Sequence, residues 1–282
     1  MTNPIELMRS AESSSALLSR YGEIPFDGEI AWNDFLSTIL SHRSVRSYLS
    51  DPLPPLTLEL LVAAAQSAAT SANLQSWSVV AIEDQQRKEE LSRLAGGQTH
   101  IKEAPLFLVW LADLARVARV ADSRGLSHDA LEYLELLIKA IVDASIAAQN
   151  ATLAAESLGL GTGYIGAIRK STQEVATLLN LPPLVFPVFG LCVGYPNPEV
   201  QTAIKPRLPQ SAVLHRETYK LAEQDEAIAH YNDIIKNFYT EQKMNVAGDW
   251  SQHSAERIAT LEYLKGCKYL REVLNDLGFK LL

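Results

Sequence analysis

The alanine-rich apolar stretch from Leu131 to Leu158, with Gly159 directly behind it, constrains this chain more than any other feature. It is too long for a strand, and a glycine just past the last helical position is a common left-handed stop. The spacing therefore predicts one long helix ended by Gly159. Its run of small side chains allows a neighbouring layer to pack closely. A bilayer span is not expected, because Glu132, Glu135, Lys139, Asp143 and Glu156 interrupt the stretch and hydrocarbon penalises each charge.

Three β-rich runs accompany this helix: Trp77 to Ile82, closed by Glu83 and Asp84, then Pro105 to Leu111, and Val185 to Val193. Each has strand length and polar boundaries. After Asp51-Pro52-Leu53-Pro54-Pro55, Thr57 is placed to cap a helix whose Leu60, Leu61, Ala64, Ala65 and Ala68 share one face. Residues 1–36 read as a helical arm with apolar positions at Leu7, Leu17 and Leu18, broken near Pro25 and Gly28 and resuming at Trp32, Phe35 and Leu36. Two helical patterns fill the tail, about 223–239 and 254–277, joined by a polar loop holding Asn245, Gly248 and Asp249. Strands separated by long helices predict a mixed helix-and-sheet domain, and the tail helices are too few to enclose a core of their own. They are expected to wrap a partner subunit. The reading divides the chain into an arm (1–36), a core (37–210) and a helical extension (211–282).

Composition closes off several function classes. Of 282 residues, 47% are hydrophobic and 21% charged, which suits an ordinary globular protein. A net charge of −8 disfavours a nucleic-acid surface, since phosphate polymers need a basic face. Cys192 and Cys267 stand without CxxC or CxxxC spacing and are expected to be buried, inert thiols. The histidines show no HExxH or paired spacing, so no metal is expected. Charged residues run through the first 20 positions, unlike the core of a signal peptide; a cytoplasmic location without membrane attachment is expected.

Four segments can carry chemistry. Arg43 and Arg46, with His42 and Ser44, offer a dense set of anion-directed donors. Ser71, Asn73 and Gln75 present hydroxyl and amide groups without net charge, as the edge of a planar imide requires. The glycines at 159, 161, 163 and 166 follow a helix, so they are not a dinucleotide fingerprint, which must follow a strand and open a helix. They read as a cap followed by backbone that something flat approaches closely. Lys205 and Arg207 lie on a stretch stiffened by Pro206 and Pro209, which lowers the entropy cost of presenting them to a phosphate. Taken singly, the basic 42–46 turn and the polar 70–77 connection read as ordinary surface segments, and the 205–209 stretch fits a surface turn as well as a site.

Taken together, His42-Arg-Ser-Val-Arg46, Ser71-Ala-Asn-Leu-Gln75, Gly163-Tyr-Ile-Gly-Ala-Ile-Arg169, Gly190-Leu-Cys-Val-Gly-Tyr-Pro196 and Lys205-Pro-Arg-Leu-Pro209 resemble the nitroreductase family in order and spacing. The resemblance is to its branch of NADPH-dependent FMN flavin reductases and nitro- and quinone reductases. It implies an α+β fold, a central mixed sheet flanked by helices, formed as an intertwined homodimer with extended C-terminal helices. His42, Ser44, Lys205 and Arg207 would hold the FMN phosphate, with Arg43 alongside. Arg46 would reach the N1/O2 side of the isoalloxazine, where reduction places negative charge. Gln75 would bond the pyrimidine edge, with Ser71 and Asn73 in the same segment, and the backbone of Tyr164, Ile165, Gly166 and Ala167 would lie against the ring near N5. No side chain need act as nucleophile or acid, because the hydride passes directly to the cofactor.

Such an enzyme takes electrons from NADPH or NADH and passes them to a small acceptor (a nitroaromatic, a quinone or free flavin) in a ping-pong cycle. Two other readings are a flavin-binding module without turnover and a specialised member such as a reductive dehalogenase. Two residues depart from the branch: Ala167 replaces a glycine, and Glu241 stands in the Thr240–Asn245 loop where arginines usually meet the extra phosphate of NADPH.

Overall fold

The structure, a computed structural model, describes residues 7–8 and 11–282. The chain opens with a short strand β1 (Leu7–Met8), helix α1 (Ala11–Tyr21), strand β2 (Ile30–Ala31), which pairs antiparallel with β1, and helix α2 (Asp34–Leu40). Then come α3 (Thr57–Gln66), β3 (Trp77–Ile82), α4 (Gln85–Leu94), α5 (Thr99–Glu103), β4 (Leu106–Asp113) and α6 (Ala115–Ser123). They are followed by α7 (Leu134–Ser157), β5 (Gly161–Ile165), α8 (Thr172–Leu178) and β6 (Val185–Gly194), and the tail holds α9 (Asp225–Glu241), α10 (Trp250–Ala259) and α11 (Leu270–Asp276). Two compact units result: Met1–Arg43 with Gln201–Tyr263, and Ser44–Val200 with Leu264–Leu282.

The second unit is built on a four-stranded sheet in the order β3-β4-β6-β5. Its pairings are antiparallel, and a parallel bridge joins Ser44 to Thr162. All eight residues of β4 are buried, and its period-2 alternation feeds two cores. Leu106, Leu108 and Trp110 pack with Leu61 of α3 and the alanines of α7, whereas Phe107, Val109 and Leu111 pack with Leu91, Ile101 and Val175 on the other face. Along α7, Ala144, Ala147, Ala148, Ala151 and Ala155 are essentially inaccessible, so the helix backbone lies close to the sheet.

The predicted end of α7 holds in detail. Gly159 has φ +77°, its N–H reaches the Glu156 carbonyl at 3.0 Å, and the Leu160 N–H reaches that of Ala155 at 3.0 Å, the paired bonds of a Schellman motif. The helix is long and apolar enough to span a bilayer by length and composition alone, yet its alanine face is core and Asp143 is buried within it. On the opposite side Leu134, Ile138, Val142 and Ile146 are exposed at four-residue intervals, one stripe of the helix surface.

Elsewhere the structure corrects the sequence reading. The expected helix over 1–6 lies outside the described residues, and Leu7–Met8 is a strand; in α1, Leu17 is buried but Leu18 is exposed. Thr57 does not cap α3: Leu56 precedes the helix with φ +65° and no side-chain cap forms. The expected tail helix over 254–277 breaks into α10, a 3-10 stretch with a kink at Lys265, and α11. Asp249 starts α10 by accepting from the Gln252 N–H at 2.9 Å. Cys192 is buried as expected, and Cys267 is partly exposed. Strand β5 runs through Gly161-Thr-Gly-Tyr-Ile165, where the two glycines mask the strand signal of Thr162, Tyr164 and Ile165.

In the first unit, α1 buries Ser13, Leu17 and Arg20, spaced i, i+4, i+7 on one face. Gly22 ends it with φ +79°, and a side chain there would strike Ile234 of α9 at 2.6 Å. Helices α9 and α10 are joined by the Asn232–Ser251 hydrogen bonds, the Lys236–Asp249 ion pair at 3.2 Å and an edge-on contact of Tyr231 with Trp250.

Candidate functional site

Four of the expected phosphate-directed residues, His42, Arg43, Lys205 and Arg207, belong to the first unit. His42 follows the last turn of α2 and is partly buried, while Arg43 is exposed with its Nε donating to Thr202 Oγ1 at 2.9 Å. Arg43 is thereby tied to the strip that carries Lys205. That strip is stiffened by more than its prolines: Tyr231 donates its hydroxyl proton to the Pro206 carbonyl at 2.8 Å, and Arg207 Nη1 donates to the Lys205 carbonyl at 3.0 Å. Lys205 Nζ sits 5.3 Å from the centre of the Tyr239 ring, within cation–π range. Pro206 is buried, and Lys205 and Arg207 on either side of it are exposed.

Ser44 and Arg46 open the second unit, where Val45 between them is buried. The Val45 N–H donates to the Thr162 carbonyl at 2.8 Å, and the Val45 carbonyl accepts from the Tyr48 hydroxyl at 2.8 Å. Alternation about this pinned residue leaves Ser44 and Arg46 exposed. It also explains the glycines of β5. A Cβ at Gly161 would lie 2.7 Å from Val45 Cγ2, and one at Gly163 would lie 2.6 Å from the Val45 carbonyl oxygen. The flat partner that approaches these two glycines closely is the chain's own 44–46 segment.

The Ser71–Gln75 loop is held by a residue that sequence reading passed over. Asp143, 1% exposed on α7, accepts from the Thr70 hydroxyl at 2.6 Å and the Ser71 N–H at 3.0 Å. It also accepts from the Ser76 hydroxyl at 3.1 Å and the Ser76 N–H at 3.3 Å. Ala72, Asn73 and Gln75 all take positive φ, between 50° and 54°, a conformation that costs energy for residues with a side chain and persists only when overdetermined by the surroundings. Arg116 completes the clamp by donating to the Gln75 carbonyl at 2.8 Å. Asn73 and Gln75 stay exposed, joined by a 3.2 Å bond from Gln75 Nε2 to Asn73 Oδ1, and Ser71 is half-buried.

Tyr164 is the one exposed residue of β5, 39% accessible, its hydroxyl 2.9 Å from Thr152 Oγ1 and its ring edge-on to Phe189. Its hydroxyl, turned inward onto Thr152, is desolvated and its pKa is raised above the ordinary phenol value, so it remains protonated. Ile165 is buried and anchors the turn, and Gly166 and Ala167 begin the 3-10 stretch that follows. Burial first, and then the charge of Arg46, holds the His100 imidazole below its usual pKa. Among the described residues, no three His, Cys, Asp or Glu side chains gather into a potential metal site.

The donor groups thus sort by chemistry: a cationic set at 42–43 and 205–207, a neutral hydrogen-bonding set at 71–75, and a backbone turn at 164–167. Those are the three chemistries that a flavin mononucleotide presents in its phosphate, its pyrimidine edge and its ring face, so the residues present fit the group.

Comparisons with known proteins agree. The nitroreductase family model matches residues 39–195, and the model of the family's C-terminal domain matches 205–282. The FMN reductase (NAD(P)H) of Bacillus subtilis is 41% identical over 254 residues, covering 88% of this chain and 98% of the relative. The oxygen-insensitive NADPH nitroreductase of Salmonella typhimurium is 36% identical over 238 residues, covering 81% and 95%. Among solved structures, the hypothetical oxidoreductase YcnD from Bacillus subtilis aligns with a TM-score of 0.83 at 39% identity, covering 89% of this chain and 99% of that one. On these matches, spanning the sheet unit and the tail alike, the chain belongs to the nitroreductase family.

Proposed function

We propose that the protein is an FMN-dependent oxidoreductase that takes electrons from a nicotinamide nucleotide and passes them to a small acceptor such as a quinone, a nitroaromatic or free flavin, in a ping-pong cycle. The strained Ser71–Gln75 loop carries this reading: a buried carboxylate and an arginine hold three left-handed residues in place, and what they present outward is an uncharged amide pair suited to a pyrimidine edge. Relatives named as FMN reductases and NADPH nitroreductases support it.

Bound FMN would supply a two-electron carrier that accepts hydride at N5. The protein's part is position and electrostatics. His42, Arg43, Ser44, Lys205 and Arg207 hold the phosphate; Arg46 offsets negative charge on the N1 side; Ser71, Asn73 and Gln75 fix the pyrimidine edge. The backbone of Tyr164, Ile165, Gly166 and Ala167 lies along the ring. No side chain serves as acid, base or nucleophile. Purified protein with a flavin absorption band that NADPH or NADH bleaches in stopped flow, and that a quinone restores, is the expected result. A flavin band that neither nucleotide bleaches would leave only a binding module.

The same reading includes a homodimer. Supporting it is the exposed Leu134, Ile138, Val142 and Ile146 stripe on α7, an apolar surface that water disfavours. For the electron donor, Glu241 is the last residue of α9 and lines a cavity of about 540 Å³ with Phe238, Ile204 and Gln242, while Lys236 is paired with Asp249. With a carboxylate there, a 2′-phosphate is disfavoured and NADH competes with NADPH.

A further inference from the structure

Helix α1 lies outside both family matches, which begin at residue 39 and at residue 205, yet its inner face ends in an arginine instead of an apolar side chain. Arg20 is 7% exposed. Its Nη2 donates to the Leu40 carbonyl at 2.7 Å and to the His42 carbonyl at 2.6 Å, and its Nη1 donates to the Lys205 carbonyl at 3.3 Å. Its own carbonyl accepts from the Arg207 N–H at 2.9 Å. One buried guanidinium therefore ties together the two segments, 40–43 and 205–207, that carry the cationic donors. Carbonyl dipoles suit it, because a planar fork of donors meets several acceptors at fixed angles and a buried cation needs such partners. In a trans peptide the next N–H points away from the carbonyl, so drawing the His42 carbonyl inward turns the Arg43 N–H outward.

We propose that Arg20 is a positioning residue for the cofactor phosphate, and that the N-terminal helix is thereby a working part of the site. The inference rests on the flavin reading above. Arg20 does not touch the ligand; it sets the spacing of His42 and Arg43 against Lys205 and Arg207, and adds a positive charge behind them.

A phosphate-specific readout tests it. FMN and riboflavin, which lacks the phosphate, are titrated into wild-type apoprotein and into Arg20→Ala and Arg20→Lys. Arg20→Ala should lower the FMN-over-riboflavin preference by about tenfold. Arg20→Lys, which keeps the charge but loses the two-nitrogen fork, should lower it by a smaller factor of about three to five. A merely structural role would weaken both ligands together and leave the preference unchanged, and that result in either folded variant overturns the proposal. Should Arg20→Ala fail to fold, the Lys variant decides alone. If wild type binds neither flavin, the flavin reading itself has failed.

Discussion

The cationic segments of the first unit and the neutral loop of the second are held by the same device with opposite sign. Arg20 collects carbonyls from Leu40, His42 and Lys205; Asp143 collects N–H and hydroxyl protons from Thr70, Ser71 and Ser76. The sign of a buried ion decides which backbone groups turn inward, and because C=O and N–H point opposite ways across a trans peptide, it also decides what is turned outward. At His42 the buried cation draws the carbonyl inward and so turns the Arg43 N–H outward, which suits an anion. A buried carboxylate turns carbonyls away from itself, as at Gln75, whose carbonyl Arg116 takes up, and leaves uncharged amides at Asn73 and Gln75.

If this comparison is right, breaking the anionic clamp has the largest effect. Asp143→Ala leaves several buried donors unsatisfied and should lower the unfolding free energy by about 3 kcal/mol or more in urea titration. On the proposed reading, in which the loop it holds meets the ring system, it should weaken FMN and riboflavin binding alike; a phosphate-selective loss would merge the two regions into one. Arg207→Ala tests the cationic side and should weaken FMN by about 1.5–3 kcal/mol with riboflavin unaffected, read by fluorescence titration.

The next effect concerns the nucleotide. Glu241→Arg should move the NADPH-to-NADH ratio of kcat/KM toward NADPH by about 1–3 kcal/mol, and an unmoved ratio means that this helix end does not read the donor. For the proposed dimer, Val142→Lys in the exposed stripe should shift sedimentation toward the monomer, by about 1–3 kcal/mol of association free energy.

The smallest effect is a pH slope. His100 has a folded pKa depressed by burial and by Arg46, so the unfolded chain binds the proton more readily. Its contribution to stability is present above the unfolded histidine pKa of about 6.5 and is lost as pH falls below it. His100→Gln should flatten the stability profile between about pH 7 and 5. An identical slope in the variant would assign the acid sensitivity to other groups.

Much of the scaffold was legible because its signals are local. The alanines of α7, the stop at Gly159 and the apolar run of β4 each report their own environment within a few residues. The cationic and neutral donor segments were legible as chemistry for the same reason. What sequence could not supply was partnership over distance. Asp143 and Thr70 are 73 positions apart, and Arg20 and Lys205 are 185 apart. Read locally, Asp143 is one charge interrupting an apolar helix and Arg20 one cation near a helix end. Strand β5 stayed hidden because its glycines answer to Val45, more than a hundred residues earlier. Sequence alone determined the chemistry of the groups this protein carries, since side-chain chemistry is fixed residue by residue. Only the tertiary structure decided which of them are buried, and a buried charge must find its hydrogen bonds wherever the fold brings them.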